Sequence, residues 1–341
     1  MSPPWPPGSA TGTGPVGGTD PSDAVKLVLD ELASFPHLPE LPERGVGADH
    51  VGRTAAMLVD LHVETTAGGW RLVARQSPEE RHAASLLARD LDALEAAAGE
   101  HEGAIKVQAI GPWTLACALE LPGGERVVSD LGATEDLTAS LAEGTRAHVA
   151  ELRRRLPRID GVVVELDESL LGAALGGEVA TASGFRRYPA VDELVALDLE
   201  AEALRQGEGQ LAGVRFDRPG APLVLLRRAG ARFFSLERGL LRPEAEEELG
   251  EALESGLGLL VGLVPTNEDG PVELEELAVP VRRLWGRLGL DPGLLPELVV
   301  VTPTAGLDGL SPARAATVLR RCSALGTRLE QDPEGTAEAQ G

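Results

Sequence analysis

Carboxylates stand at the ends of several apolar runs in this sequence. They are Asp167, Glu168, Asp217 and Glu237, with Arg215 beside them. A pair of facing carboxylates can act as general acid and general base, and a group of them can hold a divalent cation through oxygen ligands. The alternative is that strands end on Asp or Glu simply because loops begin there. We predict Asp167 and Glu168, which directly follow an apolar run, as the catalytic pair.

The elements that must position these residues are predicted from apolar periodicity. Runs typical of buried parallel strands cover residues 105–110, 161–167, 211–217, 231–237, 257–264 and 298–302. Helical spacing covers residues 22–35, 78–98, 133–156, 191–204, 243–255, 272–288 and 311–329. Strands that alternate with helices in this way imply parallel pairing with right-handed crossovers.

This alternation predicts an α/β fold, a closed (β/α)8 TIM barrel. Beyond the six clear strands, we expect one over residues 11–14 and another between residues 38 and 63. Alternation around Gly68 and Gly69 predicts a β-hairpin excursion near residues 61–75. We assign residues 10–329 to a single barrel and residues 1–9 and 330–341 to flexible tails. Chemistry in such barrels lies at the C-terminal strand ends, so the carboxylates should meet at one mouth.

Other signatures of catalysis are weak or absent in the sequence. No P-loop, HExxH, GxSxG or Cys/His dyad occurs. The six histidines all lie in the first half of the chain, and we expect each at the surface or in the hairpin rather than as a ligand. Trp113 follows a Gly-Pro pair and could stack on a flat ligand; the alternative is that it packs the barrel mouth.

The composition argues against two classes of binding partner. The 341 residues carry a net charge of -23, which argues against nucleic acid and against an anionic membrane surface. No apolar run reaches the length of a membrane helix, and the N-terminus lacks the features of a signal peptide. Two distant cysteines, Cys117 and Cys322, argue against a disulfide framework. We therefore expect a cytoplasmic protein, and the scarcity of lysine suggests a GC-rich, bacterial genome.

Five motifs in order give the chain a family resemblance. Residues 10–20 (ATGTGPVGGTD), 40–49 (ELPERGVGAD), 106–115 (KVQAIGPWTL), 164–169 (VELDES) and 303–307 (PTAGL) resemble strand ends and loops of the cobalamin-independent methionine synthase family. The resemblance covers about residues 10 to 325. It is specific at the level of the superfamily, which also holds uroporphyrinogen decarboxylase.

The resemblance implies a barrel that transfers a methyl group from methyl-tetrahydrofolate to homocysteine. It places the substrate-binding acid pair at Asp167 and Glu168. Further substrate-binding positions are expected at Gly14, Arg44, Asp49, Trp113, Arg215, Asp217 and Glu237. The small-molecule ligand would be homocysteine or a folate.

Zinc is the cofactor that the resemblance implies, because a bound zinc ion lowers the pKa of the homocysteine thiol. The family holds it with His, two Cys and an acidic residue. The His-x-Cys pair falls at Arg215 and Asp217, the second Cys at Ala305, and only the acid is matched, by Glu237. We therefore predict that no metal binds, and that Arg215 forms a salt-bridge network with Asp217, Glu237 or Asp167 in its place.

Two functional hypotheses follow. In the first, the chain is an enzyme of the methionine synthase type that retains methyl transfer in an altered form. In the second, it is a degenerate member that binds a ligand or a protein without metal-activated transfer. A weaker third hypothesis is a decarboxylase- or methyltransferase-like enzyme that uses the acid cluster without metal.

Overall fold

A computed structural model describes residues 3–205, 210–240, 245–267 and 273–335 of the chain. The predicted starts of two helices, at residues 243 and 272, fall outside these ranges, as do residues 1–2 and 336–341 of the two predicted tails. Within the described ranges, none of the helices is both long and apolar enough to cross a bilayer.

Six parallel strands form the main sheet of the described chain. They follow one another in chain order from edge to edge. They are β3 (Ile105–Ile110), β4 (Val162–Asp167), β5 (Leu211–Phe216), β6 (Phe233–Glu237), β7 (Gly258–Val264) and β8 (Val299–Pro303). Nearly every residue in them is buried, which is why they appear in the sequence as continuous apolar runs. All six predicted strands are confirmed, with bounds that differ by two residues at most.

The closed eight-stranded barrel is not formed in the described structure. The fold is TIM-barrel-like, with a curled six-stranded parallel sheet. Between its edges, β8 and β3, the segments 10–16 and 37–40 make only isolated parallel bridges, such as Ala10 with Val301 and His37 with Lys106. These segments include Pro15 and Pro39, which lack the N–H that a regular strand donates. The prediction of two further full strands was therefore wrong.

Helices surround the sheet, and the seven predicted ones are confirmed where they are described. In the described ranges they are α1 (Pro21–Glu31), α2 (His50–Ala55), α3 (Pro78–Ala98), α4 (Pro112–Ala118), α5 (Leu131–Arg155), α6 (Leu171–Leu175), α7 (Glu193–Ala203), α8 (Leu223–Ala229), α9 (Glu246–Glu254), α10 (Leu274–Leu288), α11 (Leu295–Leu298) and α12 (Pro312–Gln331). Their apolar faces and the outer face of the sheet share one continuous core.

The predicted hairpin is confirmed as an antiparallel pair beside the main sheet. Strands β1 (His62–Thr66) and β2 (Gly69–Val73) turn at the glycines, where Gly69 has φ +123°. Val63 and Trp70 bury against a second apolar cluster that includes Leu115 and other residues of α4 and α5. The hairpin therefore covers α4 and does not extend the main sheet.

Residues 3–9, which the sequence assigns to a tail, contain a buried tryptophan. Trp5 is 4% exposed and lies against Phe35 and Phe233, with ring centroids 5.5 and 5.9 Å away. A Cβ on Gly258 would come within 2.4 Å of the Trp5 ring, so the glycine makes room for it. This packing covers the N-terminal end of the sheet, opposite the end where the predicted site lies.

Candidate functional site

A small cavity opens at the C-terminal ends of β3, β4 and β5. Its volume is about 160 Å3. The lining residues are Thr13, Pro15, His50, Gln108, Ala109, Glu165, Asp167, Arg215 and Asp217. Three of the predicted site residues, Asp167, Arg215 and Asp217, therefore come together here. We call this space the mouth cavity.

Three polar atoms at the mouth cavity make no hydrogen bond with the described chain. They are Thr13 Oγ1, Gln108 Oε1 and His50 Nε2. Thr13 and Gln108 are each only 8% exposed. The amide nitrogen of Gln108 is occupied, because it donates to Leu38 O and to Glu40 Oε1. Buried polar atoms nearly always have partners, so unpaired ones at a cavity indicate a polar ligand or ordered water.

Arg215 crosses the mouth and does not build the predicted salt-bridge network. Its Nη1 donates to Thr13 O at 3.0 Å. Asp167 is its register partner on β4, yet no salt bridge joins Arg215 to Asp167, Asp217 or Glu237, all of which are described. Asp167 instead accepts a hydrogen bond from Ser169 N. Asp217 forms an ion pair with Arg218, with Oδ1 of Asp217 3.6 Å from Nε of Arg218. Among the described residues, most donors of the guanidinium are therefore left for another group at the cavity.

A buried ion pair lies beneath these groups. Lys106 Nζ donates to Glu165 Oε1 at 2.8 Å, and the two side chains are 0% and 2% exposed. Burial lowers the pKa of Lys106, while Glu165 acts in the opposite direction. The sequence analysis did not select Glu165, although it precedes Asp167 by two residues and so faces the same side of β4.

Two histidines overturn the expectation that all six lie at the surface or in the hairpin. His37 is 1% exposed, and its Nδ1 accepts from Gly12 N. Burial, with a further contribution from Lys106, lowers the pKa of His37 to about 3, so the ring is neutral. His148 on α5 is also buried. His50 is partly buried at the start of α2 and lines the mouth cavity, which its position directly after the 40–49 motif could have suggested.

Asp167 and Glu168 are adjacent but lie in different surroundings. Glu168 is 2% exposed and accepts hydrogen bonds from Trp113 N, Thr114 N and Thr114 Oγ1. Because Gly111 has no side chain to cap α4, Glu168 satisfies the free N–H groups of its first turn. Glu168 therefore caps α4, and its part in a catalytic pair with Asp167 stays a prediction.

Glu200 faces Glu168 from α7. It is 0% exposed, and neither of its carboxyl oxygens makes a hydrogen bond of ordinary geometry. Burial, and then the charge of Glu168, raise the pKa of Glu200 well above its usual value. Burial raises the pKa of Glu168 as well, against the effect of its hydrogen bonds. Two carboxyl groups so close together share a proton more readily than both ionise.

Gly14 shapes the cavity wall. Its φ of +119° is costly for other residues, and a Cβ there would lie 2.8 Å from Gln108 Nε2 and 3.3 Å from the Glu40 carboxyl group. The glycine therefore allows the 10–16 segment to approach Gln108.

Arg44 and Asp49 hold structural partners. Arg44 makes a bidentate pair with buried Asp90, at 2.7 and 2.8 Å. Asp49 caps α2 by accepting from Gly52 N, and it also accepts from Trp70 Nε1. Neither residue lines the mouth cavity, so their predicted substrate contacts remain predictions.

Trp113 and Glu237 lie away from the mouth cavity. Trp113 is 2% exposed within the core, and its Nε1 donates to Ala196 O. One edge of it lines a separate groove of about 250 Å3 on the flank of the barrel. Glu237 is exposed at the end of β6. Trp113 therefore packs as part of the core, and its predicted role in stacking on a ligand stays a prediction.

Solved structures of similar fold exist for this chain. The structure of a B12-independent methionine synthase from Shewanella sp. W3-18-1, in complex with selenomethionine, matches with a TM-score of 0.61 and 12% identity, over 96% of this chain and 99% of that one. A methyltransferase from Methanosarcina mazei matches with a TM-score of 0.51 and 11% identity, over 94% of both chains. These likenesses show the fold. No protein-family model and no curated protein matches the sequence.

The residues present do not fit the zinc ion that the family resemblance implies. No group of three or more His, Cys, Asp or Glu is arranged to hold a metal within the described ranges. Cys117 and Cys322 are buried on α4 and α12. Burial, and then Glu168, raise the pKa of Cys117 to about 12, which keeps it a thiol rather than a metal-binding thiolate.

Proposed function

We propose that the mouth cavity binds a small zwitterion of the α-amino-acid class, and that the chain is a methionine-synthase-like protein without zinc-activated transfer. The observation that carries this proposal is that groups of opposite charge line one cavity without binding each other. Arg215 offers free donors, and Asp167 and Asp217 offer carboxylates, with no salt bridge between them.

The charges match the two ends of an amino acid. A guanidinium binds a carboxylate through parallel N–H donors. Asp167 would accept from the ammonium group, and Gln108 Oε1 supplies a further acceptor without a partner in the described chain. Thr13 Oγ1 and His50 Nε2 are then available for other polar atoms of the ligand.

The size of the cavity favours an amino acid over a whole folate. Sites for drug-sized ligands enclose about 300–1,000 Å3, whereas the mouth cavity measures about 160 Å3. Of the two ligands that the resemblance suggests, homocysteine is the better match, and its methylated product, methionine, is a convenient probe.

Methyl transfer from methyl-tetrahydrofolate to homocysteine is the second candidate. The fold shared with a methionine synthase and a methyltransferase favours it, although fold alone does not carry an activity. Against it, the described residues offer no donor set for the zinc ion that would lower the pKa of the thiol. Methionine formation from these substrates, assayed with and without added zinc, separates the candidates. Turnover abolished by Asp167→Asn would favour the enzyme.

Calorimetric titration tests the binding proposal. Wild-type protein is titrated with homocysteine, methionine, methioninol (no carboxylate) and 4-(methylsulfanyl)butanoate (no amine). Both amino acids should bind, and each truncated analogue should bind at least about tenfold more weakly, because one charged hydrogen-bonding group contributes about 1.5–3 kcal/mol. Equal binding of all four, or of none, would overturn the proposal. The cytoplasmic location expected from the sequence remains part of the proposed setting.

A further inference from the structure

Exposed apolar side chains concentrate on one flank of the described protein. The large ones are Val46, Leu131, Phe185, Leu194, Val224 and Leu294. Two of them, Leu131 and Val224, line two grooves that share Val191, and Leu194 lies on α7 between Val191 and Val195. Phe185 precedes Pro189, which lines the first groove, by four residues. Apolar groups clustered in this way mark interaction surfaces far more often than scattered ones do.

Phe185 is the most exposed of them, at 93%. It sits at the tip of a tight turn whose two arms are paired, with Thr181 N bonded to Arg186 O and Tyr188 N bonded to Val179 O. Tyr188 anchors the base by donating to Glu125 Oε2. These hydrogen bonds fix the turn with the Phe185 ring exposed, which reduces the conformational entropy that is lost when the ring binds a partner.

The chain after the Phe185 turn leads into an apolar groove, whose wall includes Pro189 and Ala190. We call the exposed Phe185 ring the knob. The groove encloses about 250 Å3, and its apolar walls include Leu131, Val191 and Val195. Leu131 is 49% exposed. The groove is mostly apolar and large enough to receive an aromatic ring.

The charged residues next to Phe185 and near the groove have opposite signs. Arg186 follows Phe185 at the tip and is exposed, with no ion pair in the described chain. Asp192 lines the groove where it caps α7. Glu193, the next residue, is exposed on the side of the second groove and makes no ion pair within the described residues. In a chain of net charge -23, an exposed arginine beside an exposed aromatic ring favours an acidic partner surface.

We propose that this flank is an interface between two copies of the chain. Phe185 of each copy inserts into the groove of the other, and Arg186 pairs with the second copy's Glu193. Because the turn that carries the knob leads within four residues into the groove wall at Pro189, one two-fold axis can satisfy both contacts at once, as an isologous dimer requires. A separate acidic protein partner is the alternative outcome of the test.

Cysteine cross-linking tests the geometry. The native cysteines are buried, at 6% and 0% exposure, so introduced ones are the reactive thiols. The double variant Phe185→Cys, Leu131→Cys should form a disulfide-linked dimer under mild oxidation. The matched control Phe185→Cys, Leu294→Cys should not, because Leu294 precedes β8 at the other end of the sheet. A link within one chain, or no link, would overturn the proposal.

Solution mass tests the energetics. Light scattering of wild-type protein should give twice the 35.6 kDa of one chain. Phe185→Ser should weaken the dimer about 30-fold or more, as expected for an aromatic anchor, while Leu294→Ser should not. Arg186→Glu and Glu193→Arg should each weaken it, and their combination should restore it. A monomeric wild type, or a dimer indifferent to Phe185→Ser, would contradict the interface.

Discussion

Arg215 on β5 is bonded to Thr13 on the opposite side of the mouth, with Nη1 3.0 Å from the Thr13 carbonyl oxygen. This bond fixes the guanidinium above a cavity whose other walls carry Asp167 and Gln108. A cation held by a neutral carbonyl, close to carboxylates that it does not pair with, is arranged to bind an anionic group from outside. The zwitterion proposal rests on this arrangement.

Arg44 should contribute to stability. Its bidentate bonds to buried Asp90 predict that Arg44→Gln lowers the free energy of unfolding by about 1.5–3 kcal/mol. Urea denaturation measures this, with the exposed Arg81→Gln as the matched control. If Arg44→Gln left stability unchanged and weakened ligand binding, the substrate-binding role predicted from the sequence would be correct instead.

Glu200 should make stability depend on pH. Its pKa is raised in the folded state, so its contribution is full below its unfolded pKa of about 4.5 and is lost as pH rises toward the folded value. Glu200→Gln removes this loss. The free energy of unfolding of the variant should therefore increase relative to that of the wild type as pH rises, by up to about 1.4 kcal/mol per pH unit within that window.

Denaturation at several pH values between 4 and 8 measures the effect. Glu202→Gln, on the same helix and partly exposed, is the control. A difference between Glu200→Gln and wild type that stayed constant with pH would mean that Glu200 is ionised in the folded protein.

Lys106 and Glu165 should show strong coupling. Lys106→Met leaves the Glu165 carboxylate buried without its partner, which costs about 3–5 kcal/mol. Adding Glu165→Leu should recover most of that loss. The exposed Lys26, the other lysine of the chain, gives a control in Lys26→Met, expected within about 0.5 kcal/mol of wild type. Additive effects of the two buried substitutions would show that the pair is not coupled.

The main strands were predictable because burial on both faces leaves continuous apolar runs, as in β3 and β7. The structure of the two segments between β8 and β3, residues 10–16 and 37–40, was not predictable. Their prolines and glycines, such as Gly12 and Pro15, reduce pairing to single bridges, and no local pattern distinguishes a bridge from a loop.

Some residues of the site could likewise be predicted from the sequence, and others could not. Asp167 was found because it ends an apolar run, but Glu168 beside it turns to cap α4, since adjacent residues at a strand end face opposite directions. Gln108 and Thr13 were missed because neutral polar residues inside a run give no chemical signal. Their role is visible only when their unpaired atoms are found at one cavity.

Zinc should not bind to the wild-type chain. After incubation with zinc and dialysis, elemental analysis should find well under one equivalent. Arg215→Met, which removes the guanidinium, should leave the zinc content equally low, because the described residues offer no donor set for the ion. One equivalent in the wild type, lost in Asp217→Asn, would contradict the assignment of Arg215 as the cation of the site.

The most direct test of the central claim is a binding cycle between Arg215 and the ligand carboxylate. Methionine and methioninol are titrated into wild type, Arg215→Met and the exposed control Arg228→Gln. Wild type and control should prefer methionine by about tenfold or more, and Arg215→Met should bind the two ligands equally. An Arg215→Met protein that keeps the wild-type preference would contradict the proposed site.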